Sequence, residues 1–294
     1  MHSLKISEKN KGIIYIICAA FCFALMNTLV KFAGDDIPSI QKSFFRNIVA
    51  MIFAFIMLKK ERISIVPEKK NLIHLILRSV FGTVGIVCNF YAVDNLLVAD
   101  ASMLNKLSPF FVIIFSYFIL KEKIKPFQIM CLIIAFAGSL FIIKPSFEKF
   151  NMWTIVGLTG GIAAGAAYTF VRMLNKSNVK GTYIVFFFSS FSCMCTLPFL
   201  ITGYKNMTLG QMLILTGAGL AGSGGQFSIT AAYSHSPARE ISVYDYSQII
   251  FAMVLSYILL GQIPDRYSII GYIVICSASV IMFVYTNKRS SKPK

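Results

Sequence analysis

The chain has 294 residues, 56% hydrophobic and 14% charged, with a mean hydropathy of +0.71. A soluble domain needs more polar surface than this to cover itself, and ten spans of roughly 20 residues would leave no room for a separate soluble domain. The net charge of +16 would suggest nucleic acid in a soluble protein, but the Lys and Arg residues cluster beside the apolar runs, so no nucleic acid is expected and the bilayer is the expected partner.

The run after Lys11 is too long for a signal-peptide core and lacks a convincing cleavage site, so it reads as the first span, 12–34. Segments 39–58, 71–93, 98–119 and 124–143 complete the first half, and 153–174, 181–202, 209–233, 238–260 and 267–286 the second. Only a few polar residues separate several of them, as in Gly34-Asp35-Asp36-Ile37-Pro38 and Lys121-Glu122-Lys123. The expected fold is an all-α integral membrane protein of ten transmembrane helices. Pro109 inside the fourth segment should kink that helix and free backbone carbonyls. Gly157, Gly161 and Gly165, and again Gly217, Ala221 and Gly225, form small-residue stripes that let helix backbones approach closely. The seven cysteines (18, 22, 88, 131, 193, 195 and 276) all fall in apolar segments without a CxxC pair. They read as packing residues, and no metal or cofactor is expected.

Orientation follows from the basic residues. With the N-terminus inside, eighteen loop Lys and Arg fall on the cytoplasmic side and four (Lys144, Lys149, Lys205 and Arg266) on the other. A multi-pass protein of the cell inner (cytoplasmic) membrane with both termini cytoplasmic is expected.

The halves also match at an offset near 140. Ser116-Tyr117-Phe118-Ile119-Leu120 aligns with Ser256-Tyr257-Ile258-Leu259-Leu260, Asp100 with Glu240, and Ser139 with Ser279. At an offset of 141, Thr28-Leu29-Val30-Lys31 meets Thr169-Phe170-Val171-Arg172. The expected repeats are 1–145 and 146–294. A five-span repeat has an odd number of crossings, so its two copies insert with opposite topologies, an arrangement typical of secondary transporters.

The first half carries Phe44-Phe45-Arg46-Asn47, Leu77-Arg78-Ser79 with Gly82 and Gly85, and Phe90-Tyr91-Ala92. It continues with Ala99-Asp100-Ala101, Leu107-Ser108-Pro109-Phe110 and Lys121-Glu122 before Gly138 and Lys144-Pro145. In this order the chain resembles the EamA-type permeases of the drug/metabolite transporter superfamily along its whole length. The second half departs from that pattern, with Ile249 where the family has proline and Gly261-Gln262 where it usually has Gly-Glu. The resemblance implies two inverted five-helix repeats and the export or import of small organic metabolites.

Six basic residues lie within the expected spans: Lys31, Lys42, Arg46, Arg78, Lys106 and Arg172. Lys31, Lys42 and Arg172 are close enough to span ends to snorkel to the interface. Arg46, Arg78 and Lys106 sit about 10–12 Å deep at 1.5 Å per residue, where a cation faces a cavity or a fixed partner. Asp100 and Glu240 begin spans 4 and 9, where a carboxylate complements a helix N-terminus. Asp245 lies deeper, between Tyr244 and Tyr246 and one turn before Gln248, and is the candidate for ion or proton coupling. Asn27, Asn89, Tyr91, Tyr168, Gln226 and Tyr233 complete the candidate substrate-binding set with Arg46, Arg78, Lys106, Tyr244 and Gln248. In lipid such amides bond to another helix or to a ligand, and aromatic walls with a few cations suit an organic carboxylate or heterocycle.

The leading expectation is a permease for small organic metabolites such as amino acids or their derivatives, working by alternating access as a monomer or homodimer. The alternatives are nucleotide-like cargo (S-adenosylmethionine or nucleotide-sugar type) and lipid-linked substrates. His2, His74 and His235 lie in polar segments or near a span end, so an intramembrane enzyme with a His-based centre is not expected.

Overall fold

The computed structural model describes residues 8–63, 68–121, 126–143, 152–235 and 244–290. Its elements are α1 (Glu8–Phe32), α2 (Ser39–Glu61), α3 (Lys69–Asn95), α4 (Val98–Asn105), α5 (Ser108–Leu120) and α6 (Pro126–Ile143). They continue with α7 (Met152–Lys176), α8 (Gly181–Gly203), α9 (Leu209–His235), α10 (Ser247–Leu260) and α11 (Arg266–Ser290). The fold is all-helical, and α4 with α5 forms the fourth of its ten membrane spans.

Among the described residues six runs are long and apolar enough to cross a bilayer, from Asn10–Phe32 through Gly181–Gly203, and α6, α10 and α11 contain shorter apolar stretches. The helix α9 is long enough at 27 residues, but its Gly, Ser and Gln content keeps it out of that set. Ile56, Ile201 and Ile258 remain 59%, 76% and 69% exposed. Such outward apolar side chains find their solvent in lipid, so in a membrane nothing further has to cover them.

The packing pattern follows the inverted repeat. The helix α1 packs on α9 and α3 on α7, the first span of each half against the third span of the other. The pairs α2 with α8 and α6 with α11 join equivalent spans of the two halves. The glycine stripe of α7 meets the broken fourth span. A Cβ on Gly161 would fall 2.5 Å from the Leu104 carbonyl oxygen, so only glycine permits that backbone approach.

The kink expected at Pro109 is instead a full break one turn earlier. α4 ends at Asn105, Lys106 and Leu107 form a turn, and Pro109 sits in the first turn of α5. There its missing N–H has no intrahelical acceptor to lose, whereas a continuous helix would set its ring against the residue 105 carbonyl. Span 9 also turns, at Tyr246 before α10. Glu240 lies outside the described residues.

Four hydrogen bonds close the face where α1, α3 and α8 end. Gln41 and the Lys205 backbone exchange two hydrogen bonds of 2.8 and 3.0 Å, and Gln211 Nε2 donates to the Ala33 carbonyl at 3.2 Å. Gln262 accepts from the Val98 N–H at 3.0 Å. Each joins one repeat to the other.

Candidate functional site

The breaks in spans 4 and 9 meet in the protein interior. Lys106 Nζ lies 2.6 Å from Asp245 Oδ2, with both side chains 5% exposed. The Tyr246 hydroxyl donates to the Lys106 carbonyl at 3.0 Å, so a carbonyl left free by the helix break is satisfied from the other repeat. Asp245 Oδ1 is buried and makes no hydrogen bond. At the other end of α4, the Tyr272 hydroxyl donates to Asp100 Oδ1 at 2.6 Å. This pins the broken span to α11 and gives Asp100 a role beyond its helix N-terminus.

Beside the ion pair is a cleft of about 60 Å³, lined from both repeats by α1, α3, α4, α7, α8, α9 and α10. Its polar wall comprises Asn27, Arg78, Asn89, Asn105, Lys106, Gln226 and Gln248, and its aromatic wall Phe23, Tyr168 and Phe188. Asn89 Nδ2 donates to Asn27 Oδ1 at 3.0 Å and Asn27 Nδ2 to Ser102 Oγ at 3.3 Å. The amides therefore tie α1, α3 and α4 together as well as facing the cleft.

The two arginines share one aromatic ring. The Arg78 guanidinium lies 4.0 Å from the Phe188 centroid and that of Arg46 5.8 Å from it. Glycines make the room: a Cβ at Gly82 would strike Arg78 Nη1 and the Phe188 ring, and a Cβ at Gly222 would fall 2.7 Å from Arg46 Nε. Arg78 Nη2 donates to Gln226 Oε1 at 3.2 Å. Arg46 donates to Asn47 Oδ1 at 2.6 Å and to the Gly222 carbonyl at 3.3 Å, and Asn47 is anchored in turn to Ser192 Oγ at 2.9 Å. Both Nε atoms are buried without a partner. Among the described residues no carboxylate pairs with either arginine. A cation at mid-bilayer costs roughly 2.5–3.5 kcal/mol on insertion scales, and cation–π contact recovers part of that.

Of the sequence-derived candidates, Asn27, Arg78, Asn89, Lys106, Tyr168, Gln226 and Gln248 line the cleft. Arg46 is not in the cleft wall but lies 5.8 Å from the centroid of Phe188, which is, and Asp245 reaches the site through Lys106. Tyr233 lies 6.0 Å from Tyr168, centroid to centroid, and lines a wider vestibule where α7 and α9 end, which Arg172, Lys176 and Lys180 also border. Tyr91 is not in the cleft wall because its ring stacks on Trp153 at 5.9 Å. Tyr244 is also absent from the wall and packs against the apolar core of α1, α3, α9 and α10.

Lys42 does not snorkel. It is fully buried and pairs with Asp94 Oδ1 at 2.5 Å, while Ser39 Oγ donates to Oδ2 at 2.5 Å and Lys31 Nζ donates to the Asp94 carbonyl. The sequence reading missed Asp94, Asn47 and Phe188. Asp94 fell just beyond the expected span end, and nothing in Phe186-Phe187-Phe188 singles out the ring that faces the arginines.

An aromatic and cationic cleft between inverted repeats, walled by broken spans, defines a multi-pass membrane transporter. The chain belongs to the EamA-like transporter family, whose profile matches twice, over residues 10–144 and 151–284. It is 30% identical over 276 residues to the pseudopaline exporter of Pseudomonas aeruginosa, covering 93% of this chain and 96% of that one. Similarity also extends to the human solute carrier family 35 member G1 (24% identity, 96% and 81% coverage). The S-adenosylmethionine uptake transporter of Rickettsia prowazekii is 22% identical, with 96% and 95% coverage. One solved structure superposes with a TM-score of 0.69 at 13% identity, covering 96% of this chain and 99% of its own, a likeness of fold alone.

Proposed function

We propose that this protein is a permease that carries small organic metabolites, such as amino acids or their derivatives, across the cytoplasmic membrane by alternating access. The observation that carries the reading is the Lys106–Asp245 pair, which joins the breaks of spans 4 and 9 at the wall of the cleft. Substrate meets Arg78, Lys106, Asn27, Asn89, Gln226 and Gln248, and stacks on Tyr168 and Phe188. Asp245 couples transport to a proton or cation: its free Oδ1 accepts the ion, the hold on Lys106 Nζ loosens, and the two repeats (1–145 and 146–294) rock apart around the site. The basic residues favour cytoplasmic termini in an inner-membrane protein. On that orientation the Tyr168–Tyr233 pair stands between the cleft and an inward vestibule.

Two relatives are named for moving pseudopaline and S-adenosylmethionine, and both names support small metabolites as the cargo class. The aromatic wall of Phe23, Tyr168 and Phe188 keeps a nucleoside-like cargo as the second reading, since a flat heterocycle stacks on such rings. A thermal-shift screen of purified protein against amino acids, nucleosides and their derivatives tests both. A ligand that binds the native state raises its melting temperature by mass action, and Lys106→Met should abolish the rise. A well-folded protein that neither binds nor transports any small metabolite would contradict the reading.

A further inference from the structure

Counting the charges around the cleft, Arg46, Arg78 and Lys106 face one carboxylate, Asp245, and that carboxylate is committed to Lys106. The site therefore holds two positive charges that nothing among the described residues neutralises. Both belong to residues no more than 2% exposed. Both guanidiniums lie over Phe188, at most about 10 Å apart and so within one Debye length in 0.1 M salt. Arg78 makes one hydrogen bond, to the neutral side chain of Gln226, and its Nε has no acceptor. A fixed structural role would be expected to pair such a side chain with an acid; this one is held against a ring at the wall of a cleft.

We propose that Arg78, Gln226 and Phe188, backed by the charge of Arg46, form a subsite for an oxyanionic group of the cargo, a carboxylate or a phosphate. The inference rests on the permease reading and goes beyond it by fixing the sign and chemistry of one end of the cargo. Arg78 contacts the oxyanion through the N–H groups that Gln226 leaves free. Arg46, which is not in the cleft wall, contributes field rather than contact and is a positioning residue. The Lys106–Asp245 pair remains available for coupling, because the anion does not have to break it in order to bind.

Gln226 offers a direct test, since Gln226→Glu puts a carboxylate of nearly the same shape within reach of Arg78. Wild type, Arg78→Gln and Gln226→Glu are melted in chloride buffer and then with citrate or inorganic phosphate added at constant ionic strength. Wild type should show a saturable rise of about 3 °C with one of the two probes, and the probe that acts identifies the group as carboxylate or phosphate. Arg78→Gln should show only the non-saturating rise that excluded anions give any protein. Gln226→Glu should melt higher than wild type before any addition and gain nothing saturable afterwards. Equal responses from all three proteins, including no saturable response from any, would overturn the subsite, as would a Gln226→Glu melting point at or below that of wild type. Transport of neutral or cationic metabolites by a protein with that outcome would leave the permease reading standing. A positive anion result with no transport would do the reverse.

Discussion

Lys106 Nζ lies 2.6 Å from Asp245 Oδ2, and this contact joins the broken fourth span of one repeat to the turn in the ninth span of the other. The two residues are 139 positions apart in sequence, and inverted topology brings them together. With Tyr246 bonded to the Lys106 carbonyl, the two repeats are linked by one ionic and one neutral bond at the point about which they would have to move.

Removing either partner leaves a buried charge with no counterpart. Lys106→Met should destabilise the protein by about 3–5 kcal/mol, and the double variant Lys106→Met/Asp245→Asn should recover most of that loss. Thermal melts of the single and double variants measure the coupling. Additive losses would mean that the pair contributes no specific interaction.

Asp94 should behave as a structural residue. It receives Lys42 and Ser39 in a buried cluster away from the cleft wall. Asp94→Ala should lower stability by about 3 kcal/mol while ligand affinity of the folded fraction stays unchanged, as judged by titration after size-exclusion purification.

Much of the architecture was legible in the sequence because it is written in hydropathy and charge over long runs. A cation eight residues into an apolar segment stands out, so Arg46, Arg78 and Lys106 were visible, and so was Asp245 in its polar neighbourhood. What those cations touch was not legible. Lys106 meets Asp245 only through the fold, and Lys42 meets an aspartate 52 residues away that sat one residue beyond the expected end of span 3. Tyr91 and Tyr168 look alike in sequence, each near the end of an apolar run. The side chain's angular position on its helix sends one to Trp153 and the other to the cleft.

The α7 stripe predicts a contrast between two glycines. Gly161→Ala would put a methyl group against the Leu104 carbonyl and should cost about 1–3 kcal/mol. Gly203→Ala, at the exposed end of α8 with nothing within 4 Å, should change stability by less than about 0.5 kcal/mol. Melting the two variants side by side checks the close approach at the break.

Eighteen basic loop residues on one side against four on the other predict cytoplasmic termini. Single cysteines placed at the two ends of a variant lacking the seven native ones should react with a membrane-impermeant maleimide only after the cells are permeabilised. Labelling of the C-terminal but not the N-terminal cysteine in intact cells would mean that the number of crossings is odd, and labelling of both that the orientation is reversed.

The coupling role of Asp245 is tested most directly by uptake of an identified ligand into proteoliposomes across a range of external pH, normalised to folded protein. Asp245→Asn keeps the shape and one carbonyl acceptor for Lys106 but can no longer titrate. The account predicts that wild type accumulates ligand in a pH-dependent manner, whereas the variant loses gradient-driven accumulation and retains ligand binding and exchange. A well-folded variant whose accumulation and pH profile match those of wild type would contradict it.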